Sequence, residues 1–454
     1  MAQKRETFGS RFAVVAALAG SAIGLGNIWR FPYLVGEGGG AAFIIIYLLS
    51  SIFLALPIFL SESIIGRTTH KGTFGAFNQL APGTGWKWAS LLTVTASLIV
   101  VSYYSVVGGW SIDYLAKSLT LSFNTTSADA VGGMFEKMIA APWVPLLCHT
   151  VFLGLTCLIV IGGVKKGIER FAKITTPMLF VLIVLIMIFS VSLPGAGEGV
   201  RYMIHPDFSK VTGKVVASAM GQAFFSLSLG VGVILIYSSY MKDDENIFEA
   251  GFGTAIFDLM FALLAGFAVM PAVFAAGIEP GTGPGLIFST LPYIFAKMGL
   301  TMPWLSAAVS ILFFLTILVA ALTSSISMVE VVVGCLSEEK GLSRKKATAW
   351  VFAVAWVIGC LCSLSFGPLS DVKILGSTIF EACDKLVSNY LMSFGGLLFT
   401  IFVGWKMSRK AVRDEFTCGG TQKANCAIFN VVYFLIKFVA PIGIAVIFLT
   451  NLFL

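Results

Sequence analysis

A short apolar stretch near the start of the chain contains polar and charged residues that are costly to place in contact with lipid. Between Gly20 and Arg30 the sequence reads Gly-Ser-Ala-Ile-Gly-Leu-Gly-Asn-Ile-Trp-Arg, which places an asparagine, an arginine and three glycines in one hydrophobic run. Such residues are costly in a membrane unless they face a polar cavity. A helix break at the glycines leaves backbone carbonyl and N–H groups without partners. Freed carbonyls suit a sodium ion, and the N–H end of the following half-helix suits a carboxylate.

Other polar residues lie in later apolar runs. A second glycine cluster, Ser226-Leu-Ser-Leu-Gly-Val-Gly232, interrupts another long segment, and Thr323-Ser-Ser325 and Asp258 lie in two more. Two interrupted helices in comparable places predict a binding site near the membrane midplane. Two simpler interpretations stay open from the residues alone. The glycines would serve close helix packing, and the hydroxyls would bond back to their own helix.

The composition excludes a water-soluble fold. Of 454 residues, 57 % are hydrophobic and 12 % are charged, whereas ordinary globular domains contain about 25 % charged residues. The net charge of +7 comes from short Lys and Arg clusters between apolar segments, which is typical of a membrane protein and not of a nucleic-acid-binding domain. Eight cysteines and three histidines lack metal-ligand spacing, so we expect neither a Cys/His metal site nor a disulfide framework.

Eleven segments are long enough to span a membrane. Most Lys and Arg residues lie in the N-terminus and in the loops after even-numbered segments, which predicts a cytoplasmic N-terminus and an external C-terminus. The predicted segments are 11–36, 41–66, 87–117, 144–162, 170–192, 213–240, 248–277, 302–336, 345–365, 371–404 and 427–453.

The two glycine breaks fall in the first and sixth segments, so we expect two repeats of five spans. An odd number of spans per repeat forces opposite membrane orientations, which makes the repeat inverted. The predicted division is a cytoplasmic N-terminus 1–10, a first repeat 11–192, an external loop 193–212, a second repeat 213–404 with an external lid 279–299, a cytoplasmic loop 405–426 and a last span 427–454.

Several of these motifs resemble one family. Gly20 to Pro32, Glu37 to Phe43, Tyr103-Tyr104, Gln222 to Gly230 and Ala320 to Ser325 are similar to the signatures of the neurotransmitter:sodium symporters, in their bacterial eleven-helix branch. The resemblance implies an all-α LeuT fold with a 5+5 inverted repeat and broken helices 1 and 6. It also implies sodium-coupled amino-acid transport by alternating access.

The same resemblance implies two sodium sites. The first would use the Ala22 carbonyl, Asn27, Ser226, the position of Asp258 and the substrate carboxylate. The second would use oxygens of five residues: Gly20, Ile23, Ala320, Thr323 and Ser324. Sodium is a hard cation that favours oxygen ligands, which these residues supply.

The resemblance also places the substrate. Its carboxylate would meet the N–H groups of Leu25 and Gly26 and the hydroxyl of Tyr104. Family members that carry amines have an aspartate where this chain has Gly24. The remaining pocket positions are uncharged, which predicts an apolar substrate side chain. The implied substrate residues are Ala22, Gly24, Leu25, Gly26, Val100, Tyr104, Phe225, Ser226, Ser228, Val231, Ser324 and Met328. Val231 stands where the LeuT-like pocket has a phenylalanine, so we expect room for a large side chain.

Gate residues follow from the resemblance as well. Arg30 and Asp384, with Gln222 nearby, match the external gate. Arg5 and Tyr240 match the cytoplasmic gate together with an acidic residue, which is Glu338 or its neighbour Glu339.

The predicted function is therefore sodium-coupled symport of apolar, large or aromatic L-amino acids in the plasma (inner) membrane, independent of chloride. Expected partners are Na⁺, the amino acid and the lipid bilayer, without nucleic acid, in a monomer or homodimer. Alternatives are a sodium-dependent transporter of another small carboxylate-bearing solute and an amino-acid-gated channel. An ATP-driven pump is excluded by the lack of a Walker A motif, and no familiar intramembrane-protease motif is present.

Overall fold

The computed structural model describes residues 6–125, 130–131, 133–277, 279 and 287–453. Within that part of the chain, nine helices are long and apolar enough to cross a membrane. In chain order, and numbered here as spans 2 to 5 and 7 to 11, they are Ala41–Thr69, Lys87–Leu119, Trp143–Ile161, Val164–Val191, Ile247–Ala275, Pro303–Lys340, Arg344–Leu364, Ile379–Lys406 and Lys423–Thr450.

Two further spans are interrupted, as the glycine clusters predict. Span 1 consists of Arg11–Ala22 and Gly26–Glu37, two helices bent by 49° at the break between them. Span 6 consists of Gly213–Ser226 and Val233–Ser238, each of which is too short to cross a bilayer alone. Counting each interrupted pair as one span gives the eleven predicted spans, and the all-helical fold class is confirmed.

Two span starts differ by six or more residues from the predicted ones. Span 10 begins at Ile379 and not near residue 371, because Thr378 caps its first turn reciprocally with Glu381. Span 5 begins at Val164 and not near residue 170, because a turn of π-helix containing Lys165 and Lys166 continues into it. Lysines at a span end keep their ammonium groups in water while their stems lie along the helix, so they do not end it.

The segments predicted as loops contain helices. Residues 193–212 include Ala196–Ile204, and residues 405–426 include Arg409–Phe416. The predicted lid 279–299 contains the helix Thr290–Gly299, whereas residues 280–286 of that lid lie outside the described part.

The spans pack so that the two breaks lie at the centre. Span 3 packs against spans 4, 8 and 9, while span 1 packs against span 7 and both halves of span 6 pack against span 2. Span 10 contacts the span 6 break where Gly395 faces Gly230. A Cβ atom added to Gly395 would overlap the Gly230 carbonyl oxygen. The glycines therefore let two backbones touch beside the break.

We expect Gly395→Ala to destabilise the protein by about 1–3 kcal/mol, because overpacking against backbone cannot be relieved by a side-chain rotation. The measurement is the thermal unfolding midpoint in detergent. Gly221→Ala is the matched control, since its added Cβ would meet nothing within 4 Å. Equal midpoints for the two variants would contradict the close contact.

Candidate functional site

The two helix breaks lie against each other in the middle of the molecule. In span 6 the break runs through Leu227 to Gly232, with left-handed backbone at Ser228, Gly230 and Gly232 (φ of 53°, 80° and 79°). The Ser228 hydroxyl donates to the carbonyl of Ser21 at 3.2 Å. The breaks are therefore joined directly.

A buried carboxylate, Asp258 of span 7, lies beside the first break. The Asn27 amide donates to one carboxylate oxygen at 2.7 Å, and the Ser226 hydroxyl lies 2.8 and 2.9 Å from the two oxygens. The hydroxyl of Tyr47 in span 2 donates at 3.2 Å. All four side chains are at most 1 % exposed. Hydrogen bonds to a charged group compensate part of the cost of burying it. Side chains of four spans thus meet in one small volume, where Asp258, Ser226 and Tyr47 present oxygen atoms, the ligands that a hard cation favours. Asn27 presents its amide nitrogen there, while its oxygen accepts the Gly24 N–H at 3.2 Å.

A second oxygen cluster joins span 8 to the first break. The Thr323 hydroxyl lies 2.8 Å from the Ala320 carbonyl and 3.3 Å from the Ile23 carbonyl. The Ser324 hydroxyl donates instead to the carbonyl of Ser21 at 3.1 Å. Gly20 faces the same threonine, since a Cβ built on it would lie 3.8 Å from the Thr323 side chain. Three of the five residues implied for the second ion are therefore joined by hydrogen bonds, Ser324 is bonded beside them, and Gly20 lies near the Thr323 side chain.

A small cavity of about 20 Å³ lies between the two breaks and is lined by residues of both. That volume holds little more than one water molecule, so the site is contracted in this conformation. Eleven of the twelve implied substrate residues line it; the twelfth, Leu25, contributes its N–H, which donates to the Tyr104 hydroxyl at 3.1 Å. Its lining residues are Ala22, Gly24, Gly26, Val100, Tyr104, Phe225, Ser226, Ser228, Val231, Ser324, Met328 and Met392.

A larger cavity of about 320 Å³, here called the vestibule, lies on the other side of Tyr104 and Phe225, which line both cavities. Arg30 and Asp384 both lie on the vestibule wall. The Arg30 guanidinium lies 4.8 Å from the centre of the Phe225 ring, and Asp384 accepts from Ser388 at 2.9 Å. Among the described side chains, no ion pair within 4.0 Å joins Arg30 to Asp384. The third residue, Gln222, donates to the carbonyl of Gly26 at 2.9 Å.

The opposite face, where the described N-terminus lies, is tightly packed. The Phe8 ring is fully buried and makes edge contacts with Tyr237 and Tyr240, both at 6.0 Å between ring centres. The Tyr240 hydroxyl donates to Glu330 at 2.6 Å, and Glu330 forms an ion pair with Arg344. Glu338 accepts the Gly72 N–H at 2.7 Å. The predicted gate residue Arg5 lies outside the described residues.

The comparisons with known proteins agree with this geometry. A model described as the sodium:neurotransmitter symporter family matches residues 5–131 and 130–454. The chain belongs to this family. The symporter is 38 % identical to the uncharacterized sodium-dependent transporter YhdH of Bacillus subtilis over 98 % of each chain. It is 34 % identical to an uncharacterized sodium-dependent transporter of Haemophilus influenzae over 99 % of each.

A solved structure is similar over nearly the whole symporter. The crystal structure of MhsT in complex with L-phenylalanine superposes with a TM-score of 0.90 at 38 % identity, covering 98 % of this chain and 100 % of that one. The protein is therefore a sodium-dependent symporter with many membrane spans and a LeuT fold, and it is not an enzyme.

Three residues of the symporter's site have no assigned role in the sequence analysis. Tyr47 donates to Asp258, and Met392 of span 10 lines the small cavity. Glu62 of span 2, fully buried, accepts the N–H of Gly230 at 2.7 Å and so gives one backbone group of the second break a partner. A carboxylate in an apolar run is a usable signal for Glu62. Nothing in the local sequence distinguishes Met392 or Tyr47 from ordinary core residues.

Proposed function

We propose that the protein carries apolar L-amino acids, including large and aromatic ones, together with sodium by alternating access across the plasma (inner) membrane. The observation that carries the proposal is the small cavity between the two breaks, whose lining contains no charged side chain. The relative MhsT, 38 % identical, was crystallised with L-phenylalanine. The Lys and Arg distribution supports a cytoplasmic N-terminus and an external vestibule.

The substrate's carboxylate is the feature that this site would select. It would bind the N–H groups of Leu25 and Gly26 with the Tyr104 hydroxyl, at the positive end of the second half of span 1. The site has no room for a side chain at residue 24, because a Cβ built on Gly24 would overlap the Ser324 hydroxyl. The protein therefore cannot supply its own carboxylate there, and an amine lacking one would offer these N–H groups no acceptor.

The two oxygen clusters are the proposed sodium sites. The first ion would take the Ala22 carbonyl, Asn27, Ser226, Asp258 and the substrate carboxylate. The second would take the carbonyls of Gly20, Ile23 and Ala320 with the hydroxyls of Thr323 and Ser324. The hydrogen bonds of Ser226 to Asp258 and of Thr323 to the Ile23 and Ala320 carbonyls support the assignment, since they already bring these oxygens together. The Asn27 side chain would have to turn its oxygen, which now accepts the Gly24 N–H, toward the ion. Moving two sodium charges through about 100 mV would supply about 4.6 kcal/mol, or about three decades of substrate concentration.

The packing differs on the two sides of the site, as alternating access requires. Arg30 and Asp384, with Gln222, form the proposed external gate, across the vestibule. Tyr240 and Glu338, with Arg5, form the proposed cytoplasmic gate, on the tightly packed face. Substrate would enter from the vestibule past Phe225 and Tyr104, which divide the two cavities.

Asp258 also supports transport without chloride. Chloride-dependent members of the family use an anion near the first sodium to offset its charge. In this protein a carboxylate held by Asn27, Ser226 and Tyr47 already lies at that place. A fixed negative charge beside the ion makes a bound chloride unnecessary.

We expect Asn27→Ala to lower the sodium affinity by at least about tenfold, since losing a ligand to a charged group costs about 1.5–3 kcal/mol. The measurement is sodium titration of radiolabelled phenylalanine binding to purified protein. Asn78→Ala, at an exposed position, is the control. An unchanged sodium affinity in a folded Asn27→Ala variant would rule out the first site as assigned.

Val231→Phe should weaken binding of tryptophan and phenylalanine more than binding of alanine, because the added ring fills the volume that a large substrate needs. Competition against a transported substrate measures this. Val357→Phe, on the exposed surface of span 9, should change nothing. Competition by glycine or alanine but not by phenylalanine or tryptophan in the wild type would refute the proposed pocket. Competition by carboxylates without an amino group would favour a different small solute.

Uptake by the wild type should persist when chloride is replaced by gluconate, because Asp258 supplies the negative charge. In Asp258→Asn that charge is lost while the size is kept, so uptake should become chloride-dependent. Uptake into proteoliposomes in both buffers is the measurement. A wild type that stops without chloride would contradict the role of Asp258.

A further inference from the structure

Two cysteines lie side by side where span 9 ends and span 10 begins. Cys362, fully buried, is near the end of span 9, and Cys383 is in the first turns of span 10. Their sulfur atoms are 3.8 Å apart, and the residues are 21 positions apart in sequence. This separation is van der Waals contact between thiols, so a modest rotation of the side chains would bring the sulfurs within bonding distance.

The pair adjoins the vestibule, because the residues on both sides of Cys383 in sequence line that cavity. Three charged residues surround Cys383 on its helix, and all three line the vestibule: Glu381, Asp384 and Lys385. Cys383 itself is half-buried, so it is the more accessible of the two cysteines. Burial of its partner is no obstacle, because the second step is intramolecular.

We propose that Cys362 and Cys383 form a reversible disulfide that holds the Asp384 helix against span 9. The cross-link would form by exchange with a small disulfide. The Cys383 thiolate attacks one sulfur of that disulfide and releases a thiol. The Cys362 thiol then attacks the mixed disulfide, which releases the second thiol. The two cysteines lose two electrons and two protons, and the small disulfide gains them.

The consequence concerns Asp384, which follows Cys383 directly. Span 9 packs against spans 3 and 4, so the cross-link would tie the start of span 10 to that group of helices. The Phe380 N–H already donates to Ser365 at 3.3 Å, and the Phe380 and Phe366 rings lie 5.0 Å apart. Asp384 has no ion pair with Arg30 in this conformation, so closing the vestibule requires the two to approach. An oxidised pair restrains that approach and slows turnover.

The modification is tested first without any transport assay. Purified protein is treated with oxidised glutathione, free thiols are alkylated, and peptides are mapped by mass spectrometry. Wild type and Cys360→Ser should yield a linked peptide pair lighter by two hydrogens, which dithiothreitol removes. Cys383→Ser and Cys362→Ser should not yield it. Cys360 is the matched control, because it lies two residues from Cys362 on the same helix. Absence of the linked pair in folded wild type would overturn the proposal.

The expected effect of the disulfide on transport rests on the proposed function, amino-acid transport. Oxidation should slow phenylalanine uptake by at least about fivefold while changing equilibrium phenylalanine binding less than about twofold, because a gate step and not the site is restrained. Dithiothreitol should restore uptake. If the disulfide forms and uptake is unchanged, or if the oxidant slows uptake equally in Cys383→Ser, the proposed restraint on the gate is wrong. If phenylalanine neither binds nor moves in reduced protein, the proposed function fails, while the peptide map still decides the cross-link.

Discussion

Backbone groups inside a membrane must find partners within the protein, and the two helix breaks make this constraint acute. Each break frees N–H and carbonyl groups at a depth where no bulk water is present. In the structure, side chains from other spans satisfy many of them. Glu62 accepts the Gly230 N–H, Tyr104 accepts the Leu25 N–H, and Gln222 donates to the Gly26 carbonyl. The arrangement of the surrounding spans follows from the need to deliver these partners.

Hydrogen bonds within the two oxygen clusters hold proposed ion ligands close together although the cavity between the breaks is small. Thr323 lies against the carbonyls of Ile23 and Ala320, and Ser324 donates to Ser21. A cation that displaces such weak bonds gains several oxygens while the protein loses a few neutral hydrogen bonds. Asp258 differs, because a charged group is already paired with three donors. Binding at the proposed first sodium site therefore requires Asn27 to present its oxygen, which now accepts the Gly24 N–H, in place of the amide nitrogen that donates to Asp258.

Much of this candidate site is predictable from sequence, because many of its residues lie within a few positions of one another in the two glycine-containing segments. Glycines near Asn27 and Ser226 in apolar runs indicate a helix break, and the polar residues beside them indicate what lines it. Both features are costly in lipid unless they face a polar cavity. The start of span 10 is harder to predict, because a capping box at Thr378 sets it and the apolar residues before Thr378 give no sign that the helix has not yet begun. Met392 and the Cys362–Cys383 pair depend on how spans pack, and packing through Gly230 and Gly395 is not encoded in any local pattern.

Sodium and the substrate carboxylate are proposed to bind as one unit between the breaks. Binding of radioactive sodium to purified protein tests it most directly, measured alone, with L-phenylalanine and with phenethylamine, which lacks the carboxylate. Coupling is reciprocal, so a shared carboxylate must raise sodium affinity as much as sodium raises substrate affinity. We expect a rise of at least about tenfold with phenylalanine and none with phenethylamine. An equal rise with both compounds, or no rise with either, would contradict it.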